Sequence, residues 1–323
     1  MLKILYICNL LYRCNEHFLR KIYLYINTMN ENEEMMFDKN DDLFRDDFLD
    51  NQSFFLKGID NMGWGIKNRL SRIFNPKTGR TVMLAFDHGS VMESTTGMDR
   101  LETAVLPLIH YADSLMCTRG VVRTIIPPTT RKPVCLRFSA GSTELSELNN
   151  DCIINIEDAL RLNASALGVT VALGDKYEAK MIENLAVAVD NGYKYGIPVM
   201  AVTSVSKQDR DASYYAMVAR VSAENGANIV KTYYTEKKFS EIVNKCPVPV
   251  IVAGGKKMPE QKSLEFCRRA INDGAAGIDV GRNVFQSSSP LAMIKAISAI
   301  VHDNLETDDA YQLFRELSNS IDN

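Results

Sequence analysis

Residues 227–281 read ANIVKTYYTEKKFSEIVNKCPVPVIVAGGKKMPEQKSLEFCRRAINDGAAGIDVG. Three short runs of apolar and β-branched residues stand out, at Ile229–Lys231, Val248–Val252 and Gly277–Val280. A polar stretch between the last two, Pro259–Asp273, has the periodicity of an amphipathic helix. Short apolar runs of this kind are typical of strands that are buried on both faces of a parallel sheet. The segment therefore predicts consecutive βα units.

The same alternation extends back to residue 81 and forward to residue 302. Eight strand candidates that alternate with helices predict an α/β fold, a (β/α)8 TIM barrel with an N-terminal extension. A doubly wound open sheet is the alternative, but no G-x-G-x-x-G follows the first strand candidate. The strand candidates are Thr81–Phe86, Ser114–Cys117, Val134–Phe138, Ala166–Ala172, Val199–Val202, Ile229–Lys231, Val248–Val252 and Gly277–Val280. The helix candidates include Asp99–Ala112, Ile156–Asn163, Asp175–Tyr195, Asp209–Asn225, Pro259–Asp273 and Pro290–His302.

The chain divides into an N-terminal extension, residues 1–52, and a single barrel domain with an N-terminal cap, residues 53–323. The apolar run Ile4–Tyr12 is too short to span a bilayer, and no small-residue cleavage site follows it. The preferred interpretation is a misassigned translation start. Residues 31–50 are strongly acidic, which predicts a mobile or partner-clasping arm. The candidate starts are Met29, Met35 and Met36.

The composition is that of a globular protein with a large core: 46% of the 323 residues are hydrophobic and 24% are charged. The formal net charge is −3 and there is no Lys/Arg-rich run, so nucleic acid is not an expected partner. The seven cysteines are irregularly spaced without C-x-x-C, which favours a reducing cytoplasm over disulfides or structural zinc. Cys117, at a strand end, is expected to be an inert core residue. The four scattered histidines form no metal-binding motif, and no metal is expected.

Active sites of TIM barrels lie where strands end and loops begin. Asp87 follows the first strand candidate and is interpreted as a proton acceptor or a ligand of a substrate hydroxyl, with helix capping as the alternative. His88 is expected to be structural, because adjacent residues on a strand point to opposite faces. Arg119, after the second strand candidate, fits either an anion site or an ion pair.

Lys231 closes the sixth strand candidate, which places an amine at the mouth of the barrel between apolar walls. Burial disfavours the charged form, so a lowered lysine pKa is expected. A neutral amine can attack a carbonyl and form an iminium, which is an electron sink for carbon–carbon cleavage. A phosphate ligand or a snorkelling lysine are the alternatives.

Glycine-bearing turns follow the last two strand candidates, at Gly254-Gly255 and at Gly281-Arg282. Such turns after the seventh and eighth strands commonly bind phosphate in TIM barrels, where backbone N–H groups and helix N-termini face the anion. Lys256 and Arg282 are expected to add charge-assisted hydrogen bonds. The alternative is that the glycines only permit tight βα turns.

Five segments together resemble the archaeal-type class I aldolase family, over roughly Phe54 to Tyr311. The resemblance implies a (β/α)8 barrel, a Schiff-base lysine at Lys231, a first-strand aspartate at Asp87, no metal, and ring-shaped homo-oligomers that are commonly decamers. It also implies a phosphate site formed by Gly254, Gly255, Gly281 and Arg282. The segments are Arg69–Pro76, Leu84–Gly89, Val230–Tyr234, Ala253–Lys257 and Gly281–Gln286.

One departure from the family's fructose-bisphosphate aldolases affects the expected reaction. Those enzymes carry a tyrosine acid after the fifth strand, whereas Val199–Ser206 contains none. This difference favours the family's thiolase branch, which acts in autoinducer-2 catabolism. The resemblance then implies cleavage of a phosphorylated 3-hydroxypentane-2,4-dione with coenzyme A as co-substrate and no bound cofactor, giving acetyl-CoA and dihydroxyacetone phosphate. The alternatives are a class I fructose-bisphosphate aldolase or related synthase, and a non-catalytic barrel that binds sugar phosphates.

Overall fold

The computed structural model describes residues 54–91, 96–141, 143, 145, 152–174, 176–203 and 211–321. The predicted N-terminal extension lies outside the described residues, together with its acidic segment and candidate start codons. Ser204, Val205 and Ser206, from the stretch without a tyrosine, also lie outside them.

Eight parallel strands of the described residues close into a barrel, and this closure confirms the predicted TIM barrel and excludes the open sheet. In chain order the barrel strands are β1 (Thr81–Ala85), β2 (Ser114–Cys117), β3 (Val134–Arg137), β6 (Ala166–Val171), β7 (Val199–Thr203), β8 (Ile229–Thr232), β9 (Val250–Ala253) and β10 (Gly277–Val280). All eight match the strand candidates to within two residues. The ring closes because β1 pairs with both β2 and β10. A separate antiparallel pair is formed by β4 (Ser139–Ala140) and β5 (Cys152–Ile153).

Side chains alternate between the interior of the barrel and the layer under the helices, as the period of a strand requires. On β8, Ile229 packs among the inward-facing residues, whereas Val230 packs in the large cluster that includes the helices. The inward position two residues after Ile229 is Lys231. The strand geometry therefore brings the lysine to the inside of the barrel near its carboxyl end.

Helices surround the barrel. They are α1 (Trp64–Ile73), α2 (Leu101–Val105), α3 (Arg119–Thr124), α4 (Ile156–Arg161), α5 (Glu178–Tyr195), α6 (Ala212–Glu224), α7 (Phe239–Lys245), α8 (Glu260–Asn272), α9 (Arg282–Phe285), α10 (Pro290–Asp303) and α11 (Thr307–Ile321). Short 3-10 turns lie at His88–Ser90 and Ile109–Tyr111.

The predicted helix Asp99–Ala112 was wrong as a single element. The structure has the short helix α2, then a 3-10 turn at Ile109–Tyr111. Pro107 lies between them, and a proline inside a helix removes a hydrogen bond and clashes with the preceding turn. Four further helices, α3, α7, α9 and α11, were not among the helix candidates.

The segment interpreted as an N-terminal cap contains the helix α1. Leu70 and Ile73, together with Phe74, are fully buried and share a cluster with the inward-facing Met83 and Met200. The apolar face of α1 therefore packs against the barrel interior, away from the mouth at which Lys231 lies.

Candidate active site

A cavity of about 270 Å³ opens at the carboxyl ends of the barrel strands. Its lining includes all six residues predicted for the site, from four different strand ends: Asp87, Lys231, Gly254, Gly255, Gly281 and Arg282. The volume is at the small end for ligand sites, which favours a small metabolite as the molecule held inside.

Lys231 is almost fully buried, with 12% of its side chain exposed. Its Nζ lies 2.5 Å from Oδ2 of Asp279 and 3.4 Å from Sδ of Met116. Burial alone would lower the pKa of Lys231, but the carboxylates of Asp279 and Asp87 act more strongly together and raise it. The expectation of a lowered lysine pKa was therefore wrong, because it considered burial without the two neighbouring charges.

Asp279 lies on β10 with its side chain fully buried. Neither of its oxygens has a hydrogen-bond partner of good geometry among the described residues, so the short contact with Lys231 is an ion pair. Burial, with a smaller contribution from Asp87, raises the pKa of Asp279, although Lys231 opposes the change. The cavity thus contains a lysine and a carboxyl group between which a proton can be exchanged.

Asp87 is also buried, but its environment differs. Nε of Arg137 donates a 2.8 Å hydrogen bond to its Oδ2, and Nη1 of Arg137 donates to Oγ1 of Thr170 at 2.9 Å. Burial would raise the pKa of Asp87, but Arg137, Lys231 and His88 outweigh it and lower the pKa. The carboxylate is therefore held in its ionised form, which suits an acceptor of a substrate hydroxyl better than a base at neutral pH.

The geometric argument for a structural His88 was wrong, because β1 ends at Ala85 and His88 lies in the following 3-10 turn. Strand alternation no longer applies there, and His88 lines the cavity beside Asp87. Its Nδ1 is buried without a hydrogen-bond partner among the described residues. Burial is the main cause of a lowered pKa for this imidazole, which favours the neutral ring.

The two glycine turns meet at one side of the cavity. Gly255 has a φ of +72°, a left-handed conformation that favours glycine. A Cβ on Gly281 would lie 2.6 Å from the carbonyl oxygen of Ala85 and 2.8 Å from Cε1 of His88, so only glycine fits there. The N–H of Gly254 donates to the carbonyl of Asp279 at 2.8 Å, which makes this residue part of the turn's framework rather than an available donor.

Arg282 supplies a positive charge beside these turns. Its Nε is buried and has no hydrogen-bond partner among the described residues. A buried guanidinium donor without an acceptor fits a site that an anion completes. Lys256, the other predicted cation, is exposed and does not line the cavity.

Asn283 fixes the two turns to each other and was not predicted. Its Nδ2 donates to the carbonyl oxygens of Gly254 at 2.7 Å and Lys256 at 3.0 Å, and its Oδ1 accepts from the N–H of Met258 at 2.8 Å. The side chain is buried, and its bond to the carbonyl oxygen of Gly254 is also buried, whereas the other two bonds are partly buried. Asn283 thereby sets the spacing of the turn after β9 relative to Gly281.

Several lining residues were not predicted: Asp279, Arg137, Ser139, Thr170 and Tyr233. For Asp279 and Arg137 a signal was present. Each is a charged residue inside an otherwise apolar strand, at a position whose alternation places it inside the barrel. Tyr233 lies two residues after Lys231 and lines the cavity just past the end of β8, the sixth strand of the barrel, rather than after the fifth.

Two other strand-end residues lie elsewhere. Arg119 is half-exposed and forms an ion pair with Asp158 at 3.5 Å, which matches the ion-pair interpretation. Cys117 is buried outside the cavity, and burial raises the pKa of its thiol, so it is not a nucleophile. Among the described residues, no group of three His, Cys, Asp or Glu side chains is arranged to hold a metal ion. No helix in this part of the chain is long and apolar enough to cross a membrane.

Comparison with known proteins agrees with this geometry. The model of the DeoC/LacD aldolase family matches residues 81–287. The chain is 51% identical over 266 residues to the 3-hydroxy-5-phosphonooxypentane-2,4-dione thiolase of Escherichia coli K12, covering 82% of this chain and 91% of that protein. It is 50% identical over 268 residues to the protein of the same name from Enterobacter sp. strain 638, with the same coverage.

Among solved structures, an archaeal fructose-1,6-bisphosphate aldolase whose catalytic lysine is covalently bound to the carbinolamine intermediate of the substrate is 29% identical to this chain. The TM-score is 0.67, and the match covers 73% of this chain and 99% of that one. The family match spans the barrel from its first strand past its last. On these grounds the chain belongs to the DeoC/LacD family of aldolases.

Proposed function

We propose that this protein is a Schiff-base thiolase that cleaves phosphorylated 3-hydroxypentane-2,4-dione with coenzyme A, giving acetyl-CoA and dihydroxyacetone phosphate. One observation carries the proposal: Lys231 and the glycine turns with Arg282 line the same small cavity. Because both residues line this cavity, one small molecule can place its phosphate against Arg282 and its carbonyl toward Lys231. The name shared by the relatives at 50–51% identity supports this choice of substrate.

The phosphate is held by the turns at Gly254-Gly255 and Gly281, with Arg282 supplying the opposite charge. The unpaired Nε of Arg282 gains an acceptor when the phosphate binds. The neighbouring His88, neutral at pH 7 by the direction of its pKa, contributes a ring nitrogen and not a second positive charge.

Lys231 attacks the ketone carbonyl nearest the phosphate, and loss of water leaves a protonated imine. The coenzyme A thiolate attacks the acetyl carbonyl, and the bond between the acetyl carbon and the hydroxyl-bearing carbon breaks. The electron pair moves to the imine nitrogen and leaves an enamine, which is protonated and hydrolysed to dihydroxyacetone phosphate. Asp87, held ionised by Arg137, accepts a hydrogen bond from the substrate hydroxyl and orients it.

The cavity is too small to enclose coenzyme A as well, so the thiol enters from the open mouth and the nucleotide remains outside. Coenzyme A is a substrate in this scheme, and no bound cofactor takes part. The proposal also includes a cytoplasmic setting and a homo-oligomer, with the decamer that the family resemblance implies. The buried free thiols of Cys117, Cys135, Cys246 and Cys267 fit a reducing compartment.

A class I fructose-bisphosphate aldolase is the second candidate, favoured by the 29% identity to the archaeal enzyme of that name. Incubation with the phosphorylated pentanedione, with and without coenzyme A, separates the two. The thiolase makes acetyl-CoA and dihydroxyacetone phosphate only when coenzyme A is present. Cleavage of fructose 1,6-bisphosphate without coenzyme A, and no turnover of the pentanedione, would replace the thiolase with the aldolase.

A further inference from the structure

Asp279 and Lys231 form an isolated pair inside the barrel. Nζ of Lys231 lies 2.5 Å from Oδ2 of Asp279, whose side chain has no exposed surface. Among the residues that the structure describes, Lys231 is the only ion-pair partner of Asp279. Its other oxygen, Oδ1, is buried without a hydrogen-bond donor from this part of the chain.

A purely structural role explains this pair poorly. Removing two charges from water is costly, and their mutual attraction offsets that cost only when the remaining hydrogen-bonding positions are filled. On Asp279 those positions are not filled by described residues. At rest the neighbouring carboxylates hold the proton on Lys231, but burial raises the pKa of Asp279, and the short contact gives the proton a direct route to that carboxylate.

We propose that Asp279 is the acid–base partner of Lys231 in Schiff-base formation: it accepts the ammonium proton and returns it to the hydroxyl that leaves as water. This inference rests on the Schiff-base chemistry of the proposed function. It assigns the proton donor to the eighth barrel strand, in a chain that lacks a tyrosine after the fifth.

The protons balance in three steps. A proton first moves from the ammonium of Lys231 to the carboxylate of Asp279, which leaves a neutral amine and a neutral acid. The amine nitrogen then bonds to the carbonyl carbon, and a proton shifts from this nitrogen to the former carbonyl oxygen, giving a neutral carbinolamine. Asp279 finally protonates that hydroxyl, the carbon–oxygen bond breaks, and water leaves. The products are a protonated imine and the Asp279 carboxylate, so the charge of the pair is restored.

Asp87 is not suited to this role. Its Oδ2 already accepts a hydrogen bond from Arg137 at 2.8 Å, and its pKa is lowered mainly by that guanidinium acting against burial. An acid that must hold a proton at neutral pH needs a raised pKa, and burial raises the pKa of Asp279. The two carboxylates in the cavity therefore have different roles: Asp87 is an ionised hydrogen-bond acceptor for the substrate, and Asp279 carries the proton.

Proton transfer within the pair has a measurable consequence. While Lys231 and Asp279 hold one proton between them, the fraction in the neutral amine and neutral acid form does not depend on pH. Schiff-base formation is then flat across neutral pH. The neighbouring groups are shifted away from neutral pH: the pKa values of Asp87 and His88 are lowered, and that of Cys135 is raised by burial. The charged or titratable groups that line or face the pair are Asp87, His88, Cys135, Arg137, Tyr233 and Arg282.

The test measures the rate at which the intact protein forms an imine with dihydroxyacetone phosphate, trapped by excess cyanoborohydride and quantified by mass spectrometry. The wild-type rate is expected to be constant between about pH 7 and pH 9, above the second ionisation of the substrate phosphate at about pH 6. In Asp279→Asn, which keeps the shape, the rate is expected to fall about 10²- to 10⁴-fold and to lose the plateau, because both protons must then come from or go to solvent. Asp279→Glu, which keeps an acid, is expected to restore the plateau at a reduced rate.

The matched control is Asp158→Asn, which changes a buried carboxylate that pairs with Arg119 outside the cavity and leaves imine formation unchanged. A folded Asp279→Asn protein with the wild-type rate and profile would overturn the role of Asp279 and leave the thiolase intact. If the Asn variant does not fold, the wild-type profile decides, because a rate that changes steeply with pH contradicts internal transfer. Failure of the wild-type protein to trap the ketone at all would refute the Schiff-base function and this inference with it.

Discussion

Nε of Arg137 donates a 2.8 Å hydrogen bond to Oδ2 of Asp87, joining the end of β3 to the turn after β1. Both side chains are largely buried, with 16% and 6% of their surfaces exposed. An exposed ion pair contributes little, but here burial alone would raise the pKa of Asp87, and the guanidinium reverses that effect. Arg137 therefore determines the charge of a carboxylate that lines the cavity.

Replacing Arg137 by leucine is expected to raise the pKa of Asp87, because burial then acts without its main opposing charge. A carboxyl group needed in its ionised form will then lose its proton only at higher pH. The acid limb of the pH profile of kcat/KM therefore shifts to higher pH, and activity at pH 7 falls about tenfold or more. The measurement is kcat/KM for thiolysis across pH. Arg137→Lys keeps a positive charge and should shift the limb less.

The control for this change is Arg119→Leu, which removes an arginine that pairs with Asp158 away from the cavity. Its pH profile should coincide with that of the wild type. An unchanged acid limb in a folded Arg137→Leu protein would contradict the assigned role.

Asn283→Ala tests the connection between the two glycine turns. The substitution removes three hydrogen bonds, one buried and two partly buried, and leaves the carbonyls of Gly254 and Lys256 without this donor. The free energy of unfolding should fall by about 1–3 kcal/mol. KM for the phosphorylated ketone should rise more than kcat falls, because the turns lose their relative position. Urea unfolding and steady-state kinetics measure the two effects. Asn191→Ala, at a helix position that bonds to Val187, serves as the control.

The sequence predicts the barrel strands and their ends better than it predicts the contacts between side chains in the site. Each strand of the barrel is recognisable from its own apolar run, and the fold then places every strand end at the same mouth, which is why Lys231, Asp87 and the glycine turns were found. The contacts between strands were not predictable in this way. Arg137 and Asp87 are 50 positions apart, and their pairing depends on the register of the barrel.

The pKa of Lys231 shows the same limit. Its burial followed from the strand pattern, but the direction of the change depends on Asp279 and Asp87, which come from other strand ends. The end of β1 at Ala85 similarly decides that His88 does not follow strand alternation. The end of α2 at Val105, two residues before Pro107, decides that the predicted helix is broken. A local sequence pattern predicts that a helix or strand is present more reliably than it predicts the residue at which that element ends.

Arg282→Gln is expected to weaken phosphate binding. The buried Nε of Arg282 has no acceptor from the described residues, so the guanidinium is available to an anion. The loss of a charge-assisted contact should lower kcat/KM for the phosphorylated ketone about 10- to 100-fold. The dephosphorylated ketone should be cleaved at the same low rate by the variant and the wild type. Lys256→Gln removes an exposed lysine outside the cavity and should change neither substrate. Equal losses on both substrates would show that Arg282 does not recognise phosphate.

Lys231→Met removes the only ion-pair partner that the described residues give Asp279. Lys231 opposes the burial that raises the pKa of Asp279, so without the lysine that pKa rises further in the folded state. The folded protein then binds a proton that the unfolded chain releases at acidic pH. Stability must therefore fall as pH rises from the unfolded carboxyl pKa to the folded one. The loss at pH 8 should be about 3–5 kcal/mol, the usual cost of breaking a buried pair on one side.

The double variant Lys231→Met/Asp279→Asn isolates the cause, because it has neither charge. Its free energy of unfolding should recover most of the loss at pH 8 and should no longer depend on the titration of Asp279. Urea unfolding at pH 5 and pH 8 for the wild type, the single and the double variants measures both effects. A Lys231→Met protein that is equally stable at the two pH values would mean that Asp279 finds another partner when the ammonium is removed, and that the pair is not the isolated proton-sharing unit described above.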